Sequence, residues 1–153
     1  MVNKMGEDFL TECAKATLHH DVAALGYEGI VDAISKLNLE DESALFVVIP
    51  NSWKAELRKD EDYKAARMGE VVYSGQVGTI CGIPVIATKG LDMLETPCAY
   101  VMTKEAVKLF MKKDVDVEQD RDKEAKSNTV ILSTYYICAL ADATKICQIN
   151  KNA

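Results

Sequence analysis

Two histidines, three prolines and one tryptophan are all that these 153 residues hold of those types, and the shortage of histidine already removes several chemistries. His19 and His20 are adjacent, so on a helix they would project about 100° apart, whereas helical metal ligands need a spacing of i, i+4. Cysteine is not scarce, but its five copies (Cys13, Cys81, Cys98, Cys138 and Cys147) include no C-x-x-C pair and are odd in number. They read as reduced, mostly buried thiols and not as zinc ligands or a disulfide framework. Cysteine catalysis would need one of them beside His19 or His20 with an orienting acid, and no local signature supplies it. There is no G-x-S-x-G elbow, because Ser74 stands between Tyr73 and Gly75. The longest apolar run, residues 44–49, is far too short to cross a bilayer, and residues 1–8 lack the apolar core of a secretory signal. A net charge of −6 lacks the positive footprint that phosphate backbones require. The expectation is a soluble protein made in the cytoplasm, with no membrane and no sequence-specific nucleic acid as partner. The site inventory is equally bare: catalytic residues none, cofactor-binding residues none, metal ligands none.

What is present is organised around residues 75–86, which hold three of the eight glycines and one of the prolines among β-branched residues. Residues 77–81 and 84–87 read as two short strands, with Gly82-Ile83 as the bend and Pro84 at a strand start, where a missing N–H costs least. The stretch is no phosphate cradle. Neither Gly78 nor Gly82 is followed by Lys, and Gly75, Gly78 and Gly82 have the wrong spacing for G-x-G-x-x-G.

Ahead of it, Phe9, Leu10, Cys13, Ala14 and Thr17 predict one helix over residues 7–20, broken at Gly26-Tyr27. Ile30, Val31, Ile34 and Leu37 predict a second over residues 28–37. The run 44–49 is too short for a typical helix and predicts a strand buried on both faces, ended by Pro50. Asn51 or Ser52 can cap a helix carrying Trp53 and Leu57 one turn apart, with a charged stretch at 59–68 after it and Tyr63 on its surface. After the central strand pair, residues 88–97 form a loop and 98–102 a strand. Thr103 then predicts an N-cap, with Ala106, Val107, Phe110 and Met111 facing inward from a helix.

The most regular pattern follows. Asp114, Asp116, Glu118, Asp120, Asp122 and Glu124 occupy alternate positions, which on an extended strand puts all six on one face. An EF-hand loop beginning at Asp116 would need Gly at Arg121 and Glu at Ser127. Acids in a row on a strand also cannot converge on one ion, so a solvated or intersubunit face is the reading. Residues 126–128 make the turn, 129–140 a returning strand rich in Val, Ile, Thr and Tyr, and 145–149 a last strand. Tyr135-Tyr136 directs one ring to each face, which leaves at least one exposed or at an interface.

Residues 75–86 resemble the Gly-x-Val/Ile-Gly-x-Ile-x-Gly-x-Pro-Val segment of tailed-bacteriophage major capsid proteins. Four further motifs follow the family's order. Residues 44–50 with Trp53 and Leu57 look like its strand, proline and helix, and residues 99–106 like its strand leading into a short helix. Residues 117–122 are similar to its Val-Glu-x-x-Arg-Asp segment, and residues 135–146 to its closing strands. The resemblance covers about residues 44–149 and implies an α+β Hong Kong 97-type capsid fold: a central mixed sheet flanked by helices, with a projecting β-hairpin. It implies one domain over residues 1–153, with 44–110 and 140–149 as its compact axial-type part and 114–138 as the hairpin of a peripheral-type part. The loop 88–97 would lie near a pentamer or hexamer axis. The implied function is that of a structural shell subunit of a phage or prophage virion whose partners are copies of itself. The family's N-terminal arm, spine helix and extended loop have no counterpart before Glu7. The chain therefore resembles the C-terminal portion only, as a fragment, a truncated prophage form or an engineered piece. The alternative is a small cytosolic α/β enzyme or ligand-binding domain with a pocket near Ile49 and Cys81.

Overall fold

The computed structural model describes residues 2–42, 44–62, 76–122 and 127–151. Tyr63, Gly75, Glu124 and Lys126, and with them the end of the charged stretch 59–68, lie outside the described residues. The elements run α1 (Val2–Cys13), β1 (Leu18–Val22), α2 (Tyr27–Leu37), β2 (Leu45–Pro50), α3 (Lys54–Lys59), β3 (Gln76–Ile80), β4 (Ile83–Thr88), β5 (Cys98–Thr103), β6 (Val107–Asp122), β7 (Ser127–Leu140) and β8 (Ile146–Lys151). Six strands form one mixed sheet in the order β1-β8-β5-β2-β4-β3, and β6 and β7 pair separately. The mixed sheet, its flanking helices and the hairpin agree with the α+β class that the sequence implies.

Alternation along the central strands divides the core into two layers. Val47, Ile49, Ala99, Val101, Cys147 and Ile149 face α2 and α3, where Ile30, Ile34, Trp53 and Leu57 close over them. Their neighbours Val48, Tyr100, Met102 and Ile146 face the other way, onto Leu10 and Cys13 of α1 and onto Leu91. A strand covered on both sides must read as unbroken apolar sequence, and residues 44–49 do. Each fully buried Ile, Leu or Val contributes roughly 1.5–3 kcal/mol of transfer free energy.

Local chemistry places the helix ends. Gly26 stands at the N-cap of α2 without a capping side chain of its own. Its role is taken from a distance, since the Tyr27 N–H donates to Asp60 Oδ2 at 2.5 Å. A Cβ on Gly26 would come within 2.6 Å of that same oxygen, so the glycine leaves room for the long-range cap. At the other end Asn38 adopts φ 46° and its N–H returns to the Ser35 carbonyl, a left-handed C-cap. In the loop after β4, a 3-10 turn at Gly90–Met93 presents Asp92 to the chain after β2. Asp92 accepts from the N–H groups of Asn51 and Ser52, each at 3.1 Å, and from Ser52 Oγ at 2.5 Å. The Ser52 hydroxyl, with the two N–H groups, holds this carboxyl below the ordinary aspartate range. A depressed folded value means that the stabilisation is present above the ordinary value near 3.8 and is lost as pH falls through the folded one. Asp92→Asn is expected to flatten the acid limb of a stability–pH curve. Asp92→Ala should cost about 1 kcal/mol at neutral pH in urea titration.

Four expectations are corrected here. The helix predicted over 7–20 stops at Cys13, and residues 18–22, including both histidines, form an edge strand parallel to β8. The loop of the β3–β4 hairpin is Cys81-Gly82, not Gly82-Ile83, because both of these residues take positive φ (52° and 79°), as a two-residue turn between twisted strands requires. Gly78, with φ 131°, sits at the register shift of the same hairpin. Thr103 ends β5 and caps no helix. Residues 107–122 are a long strand paired with β7 through thirteen register positions, so the spacing of Ala106, Val107, Phe110 and Met111 imitates a helix that does not form. Phe110 and Met111 are half exposed where the helix would have buried them.

Candidate functional site

Among the described residues most of the exposed large apolar side chains lie on the β6–β7 ribbon, where the core does not explain them. Its root is fixed to the compact part. The N–H groups of Ala141 and Asp142 both reach the Ala106 carbonyl, at 2.8 and 3.2 Å, and Lys145 pairs with Glu105 across the same corner. From one side, α1 grips the returning strand. The Tyr136 hydroxyl donates to Asp8 Oδ2 at 2.6 Å, and the Leu140 N–H donates to Glu12 Oε2 at 3.2 Å. Lys15 donates to the other oxygen of Glu12 at 2.5 Å. The Asp8 carboxylate pushes the Tyr136 phenol up to about 12, while Lys15, then Leu140, hold Glu12 below its usual range.

Beyond this grip the ribbon is apolar and open. Leu109, Phe110, Met111, Val117, Val130 and Ile137 are each about half exposed, and Tyr135 is 61% exposed. A two-stranded ribbon on its own is marginal in water, and apolar side chains on both faces of one mark surface made to be covered. The two tyrosines divide as the sequence reading has it, Tyr136 toward α1 and Tyr135 outward. The acids do not all align. Register shifts between Met111 and Lys113, and between Lys113 and Asp116, break the alternation, so Asp114 falls in an irregular segment. Asp116, Glu118 and Asp120, opposite Ser133, Ile131 and Thr129, do share one face.

The remaining candidates resolve into structure. Cys13 and Cys98 are buried against Tyr100, and the Cys98 thiol donates to the Tyr100 hydroxyl at 3.2 Å. Burial pushes the Cys13 thiol up to about 12 and raises Cys98 as well, which leaves both unreactive. Cys81 is exposed in its turn, 3.2 Å from the Tyr27 hydroxyl. His19 and His20 alternate along β1, and His20 Nε2 lies 3.9 Å from Asp32. Among the described residues no group of three or more His, Cys, Asp or Glu side chains is placed to hold a metal ion. No described helix is long and apolar enough to cross a membrane.

The alternative pocket near Ile49 and Cys81 fails on topology. Ile49 is opposite Ala87 near the end of β4, whereas Cys81 adjoins the Ile80–Ile83 pair at the start of β4. Antiparallel β3 thus carries Cys81 to the opposite end of the sheet from Ile49, which is itself fully buried. A shallow cleft of about 870 Å³ does lie between α1 and the 3-10 turn, floored by Leu10, Val48 and Leu94 and rimmed by Met93. Its lining is mainly apolar and includes no nucleophile or base within a triad.

A mixed six-stranded sheet with α2 on one face, α1 on the other and a long two-stranded ribbon leaving one corner is the Hong Kong 97-type capsid fold. Solved structures bear this out. The chain superposes on the head structure of Helicobacter pylori bacteriophage KHP40 with a TM-score of 0.73 at 11% identity, covering 97% of this chain and 64% of that one. On Mycobacterium phage Che8 the TM-score is 0.68 at 16% identity, covering 97% and 57%. In sequence, a curated homologue is the major capsid protein of Staphylococcus phage phiMR11, 29% identical over 157 residues, covering 99% of this chain and 56% of that protein. The chain therefore spans little more than half the length of the relatives it matches. No family model matches it.

Proposed function

We propose that this chain is a structural, non-enzymatic subunit of an icosahedral phage or prophage shell, acting through self-association. The observation that carries the proposal is the similarity to a phage major capsid protein along 99% of the chain, joined to the capsid-type fold. The ribbon supports it independently, because half-exposed apolar side chains along its length need a partner surface. In this reading residues 44–110 with 140–149 form the part nearest a pentamer or hexamer axis, residues 114–138 belong to the peripheral part, and the loop 88–97 approaches the axis. Met93, 82% exposed at the tip of that loop, is then a contact between neighbours. The protein would be made in the cytoplasm of the bacterial host and reside in the virion capsid.

Light scattering of the purified chain across concentration, followed by electron microscopy of any large fraction, tests the proposal. Rings, pentamers, hexamers or closed shells are the expected products. A strict monomer at millimolar concentration would overturn self-assembly of this chain.

A further inference from the structure

The outward face of the ribbon carries an order of charges with a geometric consequence. Residues directly opposite in an antiparallel pair share a face. The pairs on the face away from the Tyr136 contact to α1 run, from root to tip, Lys108 with Ala139, Phe110 with Ile137, Lys113 with Tyr135, then Asp116 with Ser133, Glu118 with Ile131 and Asp120 with Thr129. The root half is basic and aromatic, and the tip half is acidic. Every one of the charged side chains is exposed or half-exposed, and Phe110, Tyr135 and Ile137 are 54%, 61% and 62% exposed.

Reversing this order end for end lays the basic half on the acidic half. Lys108 meets Asp120, the Ile137 level meets the Ile131 level, and Lys113 meets Asp116. We propose that the outward face of the ribbon pairs with the same face of a second copy, the two running in opposite directions about a two-fold axis. This deepens the shell reading and rests on it. The isologous form follows because one surface supplies both halves of each contact. Within a single ribbon Lys113 already pairs with Asp116, while Glu118 and Asp120 have no cation within ion-pair reach among the described residues. Pairing supplies Asp120 with a cation, Lys108 of the second copy, and covers the apolar side chains between the charges.

Size sets the strength. Six levels of a strand span about 34 Å, and two strands are about 10 Å wide, so two faces bury roughly 700 Å² in total. That is below the ~1,200 Å² of a stable standard interface, so an isolated pair is weak. In a closed assembly, where other contacts hold the copies, the same pairing becomes intramolecular and persists.

Sedimentation velocity on the full chain, from micromolar to millimolar, is the test. One variant carries Lys108→Glu and Lys113→Glu, and a second carries Asp116→Lys and Asp120→Lys. All four positions are solvent-facing, and circular dichroism confirms that each variant is folded. The wild type should show a mass rising toward dimer that weakens at about 0.5 M salt, as screening requires. Each variant alone should lose at least tenfold in association, and an equimolar mixture should restore it, because each now matches the other. Association of both variants equal to wild type, or a mixture no better than its components, would overturn the ribbon pairing and leave the shell reading standing. A strictly monomeric wild type would overturn both. Pairing that follows the expected pattern while no ring or shell forms would support the ribbon contact and count against the shell.

Discussion

Tyr100→Ala should lower the midpoint of thermal unfolding by roughly 6–20 °C, from about 3–5 kcal/mol of lost burial and residual cavity at about 2–4 °C per kcal/mol. Tyr100 is fully buried in β5, between β8 and β2, with its ring on the α1 side of the sheet among Cys13, Met102 and Ile146. A phenol buried without a partner would be costly, and its oxygen accepts the Cys98 thiol. That contact is weak, so Tyr100→Phe should cost about 1 kcal/mol or less. The pair of variants therefore separates ring volume from hydroxyl. Circular dichroism melts decide it, and a Tyr100→Ala midpoint within roughly 3 °C of wild type would mean that this layer can collapse around the missing ring.

The second large effect is on association and not on stability. Replacing residues 108–139 by Asn-Gly, which joins the paired residues Val107 and Leu140, removes nearly the whole ribbon. A two-residue Asn-Gly loop suits the twist of antiparallel strands. The corner stays closed, since the Ala141 and Asp142 N–H groups still reach the Ala106 carbonyl. The principal loss is the Tyr136–Asp8 hydrogen bond at the edge of α1. A folded chain melting a few degrees lower is expected, with the ribbon-dependent rise in mass gone. Failure of the shortened chain to fold would show that the ribbon is part of the compact core.

Much of the compact part was legible because its signals are local. Residues 44–49 announce a doubly covered strand by their unbroken apolar run, and Gly82 marks a tight turn between two β-branched segments. The elements that sequence reading missed depend on partners far away. Leu18-His19-His20-Asp21-Val22 alternates weakly and continues the periodicity of α1, so nothing nearby distinguishes it from helix. Its strand character comes from β8, at the other end of the chain. Residues 106–111 fit a helical face equally well, and only their pairing with residues 136–140 decides for strand. The α1 grip on Tyr136 was likewise invisible, because Asp8 and Glu12 carry no mark of partners 128 residues away. The charge order on the ribbon was visible as alternating acids, but its meaning needed the register that brings Lys108, Lys113 and the acids onto one face.

The place of β8 in the sheet has a consequence for how the molecule forms. It lies between β1 and β5, so Leu18 finds its neighbour Cys147 only 129 residues later. Until β8 leaves the ribosome, β1 has no strand to pair with among the described residues and β5 has one open side. The ribbon, by contrast, joins strands only four residues apart in sequence and can zip within microseconds. Closing the sheet is the non-local, slow step. An apolar ribbon is thus already formed beside an unfinished core, and the arrival of the six residues of β8 completes the sheet in one event.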